Sequence, residues 1–340
     1  MKTRTLLAVA GFAFASLAFS ADVPKIIFDS DMYTDFDDVG AMATLHALAD
    51  AGECEILGTL VCTREAPSSG MVELINNYYG RGDLPIGAPR MIGPGRCVEP
   101  NVVKHTIYRI YEDMVAKTPN LRYPTSDKAP DANEVYRRLL AAAPDGSVTI
   151  LSVGFTTNLR RLLETKADAI SPLAGPALVA KKVKAWYAMA CRYPTGFEYN
   201  AGHDAASSKI VFAEWPTPVY FLDFLYGDKV HCGTVVAKRE DAVNPVRDVF
   251  KRALTAYYKG LNHGHCAWDE VTVLAAVRGW QKYFGVERGT FAIVDAKGTN
   301  AWTPSATGNH YVLTEKTPRP EVARIIDELM ARPPKAKASK

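Results

Sequence analysis

Apolar residues recur along the chain with two alternating periods. Short apolar runs rich in β-branched residues predict strands, and longer segments with apolar residues three and four positions apart predict helices. We predict strands at residues 25–29, 55–62, 147–153, 183–190, 217–222 and 290–294. We predict helices at residues 39–51, 70–79, 102–117, 132–143, 157–166, 205–212, 245–258, 268–278 and 319–330. This alternation implies parallel pairing, so the expected fold is α/β, an open and mainly parallel sheet with helices on both faces.

Residues 1–20 have the composition of a secretory signal peptide. Lys2 and Arg4 precede an apolar stretch at residues 6–19, and the segment closes on Ala-Phe-Ser, with small residues at the positions that direct cleavage. The apolar stretch is shorter than the roughly 18–20 residues of a membrane span, and no later segment reaches that length. We therefore expect a cleaved Sec-type signal peptide and release to a periplasm or the medium, with no membrane as partner.

The rest of the chain is expected to form a single domain over residues 21–331, because no internal repeat and no Gly- or Ser-rich linker divides it. Residues 332–340 form a basic, Pro-containing tail that we predict to be disordered. Loss of the leader removes Lys2 and Arg4 and lowers the formal charge from +3 to +1. Such a small charge argues against a nucleic-acid polymer as ligand.

The cysteines allow up to three disulfides in an exported protein, and their wide spacing shows no disulfide framework. A chain of this length does not need a disulfide to be stable. No CxxC pair is present, which argues against a zinc or redox motif. The six residues are Cys54, Cys62, Cys97, Cys191, Cys232 and Cys266.

A cluster of five aspartates joins the first predicted strand to the first predicted helix: Asp29, Asp31, Asp35, Asp37 and Asp38. The carboxyl ends of parallel strands form the crevice where α/β proteins bind ligands. Like charges at such short range repel one another, and no Lys or Arg occurs between Lys25 and Arg64. The counter-charge is therefore the amino end of the helix or a hard cation, Ca²⁺ or Mg²⁺. A solvated acidic loop that caps the helix is the alternative.

Three later segments carry groups suited to ligand binding. Residues 149–159 predict a strand, a glycine turn and a helix start, whose backbone groups face the same crevice as the aspartates. Glu198 and Asn200 are two residues apart, so both face one side of an extended segment and suit a polyhydroxy ligand. Asp269 opens an apolar helix as an N-cap, unless the fold brings it to a metal. An ordinary strand–helix connection, a surface turn and a plain cap are the alternatives.

Together these four segments resemble the calcium-dependent nucleoside hydrolases, also called inosine/uridine-preferring N-ribohydrolases. Asp-Ser-Asp followed by Asp-Phe-Asp-Asp resembles the longer form of the family's amino-terminal aspartate signature. Ser-Val-Gly-Phe-Thr-Thr-Asn-Leu, Phe-Glu-Tyr-Asn and the Trp-Asp pair are similar to its later motifs, in the same order. The resemblance covers roughly residues 25–330 and implies the family's Rossmann-like fold.

The resemblance also implies a Ca²⁺ site and a ribose site. The implied calcium ligands are Asp31, Asp38, the main-chain carbonyl of Val153, and Asp269. Asp37 is implied to bond a ribose hydroxyl, and Glu198 and Asn200 to contact the far side of the sugar. Asp31 is further implied to deprotonate the attacking water, while Asp29 and Asp35 support the loop.

The chain departs from the family pattern where the leaving base would bind. Trp268 stands where many members have a His proposed to protonate the base, and Arg192 stands where an Asn often contacts the sugar. We predict that both bind substrate, Trp268 by stacking on a base, although a core Trp at a helix start is the alternative. His203, His263 and His265 are the candidate replacement acids, and a plain surface histidine is the alternative for each.

The predicted function is hydrolysis of the N-glycosidic bond of ribonucleosides or related small-molecule ribosides by calcium-activated water. A calcium-dependent ribose- or nucleoside-binding protein without catalysis is the first alternative, because the base-binding half is altered. A haloacid-dehalogenase-type phosphatase is the second, and it fits less well because the Asp37–Asp38 pair has no use in that mechanism. Family members are commonly dimers or tetramers, so the resemblance leaves a homo-oligomer open.

Overall fold

The computed structural model describes residues 23–33, 35–63, 65–90 and 106–335. Its strands are β1 Lys25–Ser30, β2 Glu55–Val61, β3 Ile86–Gly87, β4 Val148–Val153, β5 Val183–Met189, β6 Thr195–Phe197, β7 Val219–Leu222, β8 His231–Cys232, β9 His265–Cys266, β10 Phe284–Ile293, β11 Thr299–Pro304 and β12 His310–Glu315. Its helices are α1 Asp37–Asp50, α2 Ser68–Tyr78, α3 Thr106–Ala116, α4 Ala132–Ala142, α5 Thr157–Leu163, α6 Gly175–Lys182, α7 Tyr199–His203, α8 Ala205–Glu214, α9 Phe224–Gly227, α10 Thr234–Ala237, α11 Pro245–Tyr258, α12 Trp268–Arg278, α13 Trp280–Tyr283 and α14 Arg319–Met330.

In the part of the chain that the structure describes, one ten-stranded sheet has the order β3-β2-β1-β4-β5-β7-β12-β10-β11-β6. Neighbouring strands run parallel from β3 to β12. The pairs from β12 through β10 and β11 to β6 are antiparallel. Strands β8 and β9 form a separate antiparallel ribbon. The predicted open and mainly parallel α/β sheet is confirmed.

Strand β1 lies inside the parallel part of the sheet, and five of its six residues are buried. A strand covered on both faces needs an almost continuous apolar sequence, which Ile-Ile-Phe supplies. Ser30, its last residue, pairs with Val61 on one side and with Val153 on the other. Since β1, β2 and β4 end at the same level, the segments that follow them meet at one edge of the sheet.

Helices cover both faces of the sheet. Helices α1, α2, α11, α12 and α14 contribute to one apolar core cluster, and α4, α5, α6 and α8 contribute to another. Helices α1 and α12 are in direct contact. A β-carbon on Gly40 of α1 would overlap the carboxyl group of Glu270 of α12. This close approach brings together the first turns of the two helices, which carry Asp37, Asp38 and Asp269.

The predicted strands and helices are all present within the described ranges, with ends shifted by a few residues. The predicted helix at 102–117 is described from Thr106 onwards. The periodicity missed strands β3, β6, β8, β9, β11 and β12 and helices α6, α7, α9, α10 and α13. Most of these elements have five residues or fewer, which is too short for an amphipathic pattern to repeat clearly. Strand β11 contains polar residues and a proline that disfavour a strand prediction.

Some predictions fall on other parts of the chain. Residues 1–20 and 336–340, which hold the predicted signal peptide and the end of the predicted tail, lie outside the described residues. Within those described, no helix combines the length and the apolar character that a membrane span requires. The arrangement with three disulfides does not occur, because Cys54, Cys191, Cys232 and Cys266 are free thiols.

Candidate active site

Asp29, the first of the clustered aspartates, is bound by side chains from two helices. Its carboxylate accepts hydrogen bonds from the Tyr136 hydroxyl at 2.9 Å and from Asn158 Nδ2 at 3.1 and 3.2 Å. Complete burial raises the pKa of Asp29 to about 7, although these hydrogen bonds lower it. Asp29 therefore ties the end of β1 to α4 and α5.

Three carboxylates from two helix starts converge at the carboxyl edge of the sheet. Asp37, Asp38 and Asp269 are buried, and one oxygen of each lies within 4.8 Å of the others. Asp38 Oδ1 accepts a 2.7 Å hydrogen bond from Ser30 Oγ, whereas Asp38 Oδ2 is buried without a partner among the described residues. Burial and the neighbouring negative charges raise the pKa of all three groups well above the usual range. A buried oxygen without a donor is costly, and a bound cation would satisfy it.

The other two implied calcium ligands lie at the same cavity. Asp31 and Val153 line a cavity of about 240 Å³ together with Asp37 and Asp269. The Val153 carbonyl accepts a hydrogen bond from Asn200 Nδ2 at 3.3 Å. The residues present therefore fit a hard cation with oxygen ligands, and Asp37, assigned above to ribose, is close enough to share in holding it.

Glu198 and Asn200 lie on a wall formed by the segment after β5. Glu198 Oε1 accepts from the Asn200 N–H at 2.8 Å, and Oε2 accepts from the N–H groups of Cys191 at 3.0 Å and Ala201 at 2.9 Å. Burial raises the pKa of Glu198 to about 7 despite these donors. Asn200 Nδ2 also donates to the Met189 carbonyl at 3.1 Å. Both side chains line the cavity, and the backbone fixes their position.

Two aromatic rings form a further wall of the cavity. Trp268 and Phe224 both line it, and their rings stack with centroids 5.5 Å apart. The indole Nε1 of Trp268 donates to the Phe224 carbonyl at 3.1 Å. Because that N–H is already used, Trp268 presents a ring face rather than a donor to a ligand. Sequence reasoning missed Phe224, whose position directly after β7 was the available signal.

His265 is the one of the three candidate histidines that is buried. Its Nδ1 lies 2.8 Å from the Tyr258 hydroxyl and its Nε2 lies 3.0 Å from Asp35 Oδ1. Asp35, predicted only to support the loop, lines the cavity. His203 and His263 are exposed. The structure thus links His265 to the cavity through Asp35.

An acid-lined cavity at the carboxyl edge of a parallel sheet defines an α/β protein with a metal-type site. A family model for inosine-uridine preferring nucleoside hydrolases matches residues 26–331, and the chain belongs to that family. It is therefore an N-ribohydrolase, which acts on the N-glycosidic bond of ribonucleosides, in a family that depends on a metal ion. The predicted enzyme class is confirmed, and the phosphatase alternative is wrong. A comparison with curated proteins gave no match.

Solved structures of low identity share the fold. A plant nucleoside hydrolase is 18% identical with a TM-score of 0.68, over 91% of this chain and 99% of that chain. The inosine-uridine preferring nucleoside hydrolase of Bacillus anthracis is 16% identical with a TM-score of 0.64, over 91% and 99%. A type III effector protein complexed with adenosine diphosphate ribose is 15% identical with a TM-score of 0.65, over 91% and 93%.

Proposed function

We propose that this enzyme is an exported, calcium-dependent hydrolase of ribonucleosides or related ribosides. One observation supports it most strongly: the carboxylates of Asp37, Asp38 and Asp269 converge in a buried cluster, and Asp38 Oδ2 has no partner among the described residues. Oxygen donors of this kind suit a hard divalent cation, and the family resemblance implies Ca²⁺.

The ion would be held by Asp31, Asp38, Asp269 and the Val153 carbonyl, with Asp37 beside them. When bound, it supplies positive charge that lowers the pKa of a nearby water and offsets the clustered carboxylates. Asp31, which lines the cavity, accepts the proton of the attacking water.

The sugar is held by the wall that carries Glu198 and Asn200. Both side chains are buried at the cavity and fixed by backbone hydrogen bonds, so they present oriented polar groups to ribose hydroxyls. As the glycosidic bond breaks, the ribose gains positive charge. The carboxylates that line the cavity stabilise that charge more strongly than they stabilise the neutral substrate.

Chromatography of a nucleoside panel tests the proposal. Mature protein, residues 21–340, is incubated with purine and pyrimidine ribonucleosides and with p-nitrophenyl riboside, with Ca²⁺ and with a calcium chelator. We expect free base and ribose to appear with Ca²⁺, to stop with the chelator and to return when Ca²⁺ is restored. Calcium-dependent ligand binding without turnover of any member would favour the non-catalytic binding protein.

Export is proposed from the composition of residues 1–20 alone. Cell fractionation of the full-length protein, with mass spectrometry of its amino terminus, tests it. We expect a periplasmic or secreted product whose first residue is Ala21. An intact amino terminus in the cytoplasmic fraction would contradict the proposal.

A further inference from the structure

Arg192 places a positive charge against one ring of the aromatic wall. Its guanidinium carbon lies 5.9 Å from the centroid of the Phe224 ring. That ring stacks on Trp268, which is adjacent in the chain to Asp269 of the carboxylate cluster. The wall therefore runs from the aspartates through two aromatic rings to an exposed guanidinium.

The guanidinium of Arg192 has no hydrogen-bond or ion-pair partner among the residues that the structure describes. It lies over the Phe224 ring, and its charge also acts on the neighbouring Asp223 carboxyl, where it opposes the rise in pKa that burial causes. Several other arginines that the structure describes are paired. Arg278 binds Glu53 through two nitrogens at 2.7 and 2.8 Å, and Arg137 binds Asp168 at 2.7 and 2.9 Å. The five N–H donors of Arg192 therefore lie beside Phe224, a residue that lines the cavity, although Arg192 itself is outside the lining.

The backbone around Arg192 is held in one position. Buried Asn300 accepts from the Arg192 N–H at 2.9 Å and donates to the Arg192 carbonyl at 2.8 Å. Cys191 has a φ of 77°, a conformation that costs a non-glycine residue energy, and its N–H binds Glu198. A β-carbon on Gly196 would collide with Arg192 Cδ, so the glycine leaves room for the side chain. Together these features orient an unpaired charge.

The charged groups that line the cavity are negative, and the positive charge nearby belongs to Arg192. Its lining includes the carboxylates of Asp31, Asp35, Asp37, Glu198 and Asp269. These groups attract a cation and bond hydroxyls, and they repel an anion. A ligand with a negative group therefore fits in one orientation, with that group turned away from the aspartates and toward Arg192. A neutral nucleoside gains little from an unpaired guanidinium.

We infer that Arg192 recognises an anionic group on the riboside, a phosphate on the sugar or a carboxylate on the base. This inference rests on the proposed function and adds a substrate class to it. A guanidinium matches both groups because its planar fork donates two parallel hydrogen bonds to a pair of oxygens.

Calorimetry with ligands that cannot be hydrolysed tests the inference in the presence of Ca²⁺. The two ligand pairs are ribose with ribose 5-phosphate, and uracil with orotate. The parent should bind the anionic member of one pair about 10- to 100-fold more tightly, as expected for a charge-assisted hydrogen bond. The pair that shows the preference tells whether the anion belongs to the sugar or to the base.

Arg192→Ala should abolish that preference, and Arg192→Lys should keep part of it. Arg288→Ala is the matched control, because Arg288 is also exposed and lies 5.7 Å from an aromatic ring centroid, that of Tyr311. The preference of the parent should weaken as salt rises, whereas Arg192→Ala should show no such dependence. A parent that prefers neither anion, or a preference that persists in Arg192→Ala, would overturn the inference.

Kinetics on uridine, uridine 5′-monophosphate and orotidine separate this inference from the proposed function. Turnover of all three at similar efficiency would leave the hydrolase in place and overturn the role of Arg192. Anion binding that depends on Arg192, with no riboside cleaved, would overturn the hydrolase and leave the anion site. Arg192→Ala should raise KM for the preferred anionic substrate about 10- to 100-fold more than it raises KM for uridine.

Discussion

The inner and outer walls of the cavity are built from different kinds of residue. The inner wall, formed by Asp31, Asp37 and Asp269 with Asp38 beside them, is buried. Its carboxylates lie directly after β1 and at the starts of two packed helices. The outer wall, formed by Phe224 and Trp268 with Arg192 against the Phe224 ring, is aromatic and basic and is partly open to solvent.

The difference indicates that the two walls bind different parts of the substrate. The inner wall depends on the α1–α12 contact and on strand ends that share one level, so a change there disturbs the core as well as the site. The outer wall consists of side chains in a loop and at the first residues of α9 and α12, which can change without altering the sheet. Groups that all substrates share therefore belong at the inner wall, and groups that differ among substrates belong at the outer wall.

Asp38→Ala tests the inner wall and should have the largest effect of the variants considered. It removes two carboxylate oxygens from the cluster, including the buried Oδ2 that has no partner among the described residues. We expect Ca²⁺ affinity to fall by at least about 100-fold and riboside hydrolysis to be lost. Calorimetry with Ca²⁺ and the chromatographic assay measure the two effects.

Asp50→Ala is the control for that variant, because Asp50 lies at the other end of α1 and binds Arg81 at 2.6 Å. Asp50→Ala should keep the Ca²⁺ affinity and the riboside hydrolysis of the parent. An unchanged Ca²⁺ affinity in Asp38→Ala would show that the ion is not held by this cluster.

The aspartates of the inner wall and Arg192 and Trp268 of the outer wall could be predicted from the sequence, and Phe224 could not. Asp31, Asp37 and Asp38 lie in one short segment between a strand and a helix, so a local pattern is enough to place them together. The role of Asp269 already required the resemblance, because only the tertiary α1–α12 contact brings it there. Phe224 and the link from His265 to Asp35 join segments with no sequence signal in common, and their proximity follows from packing alone.

Asn200→Ala tests the sugar side of the cavity. The variant loses an amide that holds the carbonyls of Val153 and Met189 and faces the cavity. We expect turnover to fall about 100-fold while Ca²⁺ affinity changes little, because the carboxylate cluster is intact. Asn262→Ala, an exposed asparagine that binds Lys238, should behave like the parent. Parent-like turnover in Asn200→Ala would remove Asn200 from the site.

A comparison of substrates with different leaving groups tests whether the outer wall supplies a general acid. The Trp268 indole is not an acid, and its N–H is bonded to the Phe224 carbonyl. Without another acid, p-nitrophenyl riboside should be cleaved about 100-fold faster than inosine or uridine, since general acids commonly contribute that much. The rate should also lack a fall above about pH 7, where a histidine acid loses its proton.

The opposite result would identify a histidine acid. Natural nucleosides cleaved as fast as the activated riboside, with a rate that falls above about pH 7, would contradict the leaving-group prediction. His265→Ala should then remove the fall, because His265 lies 3.0 Å from Asp35 at the cavity. His203→Ala and His263→Ala, which change exposed histidines, are the controls.

Glu198→Gln tests whether burial raises the pKa of Glu198, which lies on the wall that holds the sugar. The pKa of Glu198 is raised from 4.5 to about 7, so its protonated form is favoured in the folded protein. The resulting stability is fully present below about pH 4.5 and is lost as the pH rises through about 7. The free energy of unfolding of the parent should therefore fall relative to Glu198→Gln across this window, by at most about 3 kcal/mol.

Urea unfolding of both proteins between about pH 4.5 and 8 measures the difference. Glu164→Gln, a change at an exposed glutamate paired with Arg160, is the control for the same exchange outside the cavity. A difference between parent and Glu198→Gln that is independent of pH would show that Glu198 titrates alike in the folded and unfolded states.

Trp268→Phe should have the smallest effect and separates the two properties of the indole. Phenylalanine keeps an aromatic face against Phe224 and loses the 3.1 Å hydrogen bond to the Phe224 carbonyl. We expect the free energy of unfolding to fall by about 1 kcal/mol, the usual net value of one hydrogen bond, with turnover nearly unchanged. Trp280→Phe makes the same exchange on α13, outside the cavity lining, and controls for the general loss of an indole. If Trp268→Phe instead abolished turnover of every riboside, the indole N–H would have to serve the reaction directly, and the outer wall could not be treated as a surface that only selects among substrates.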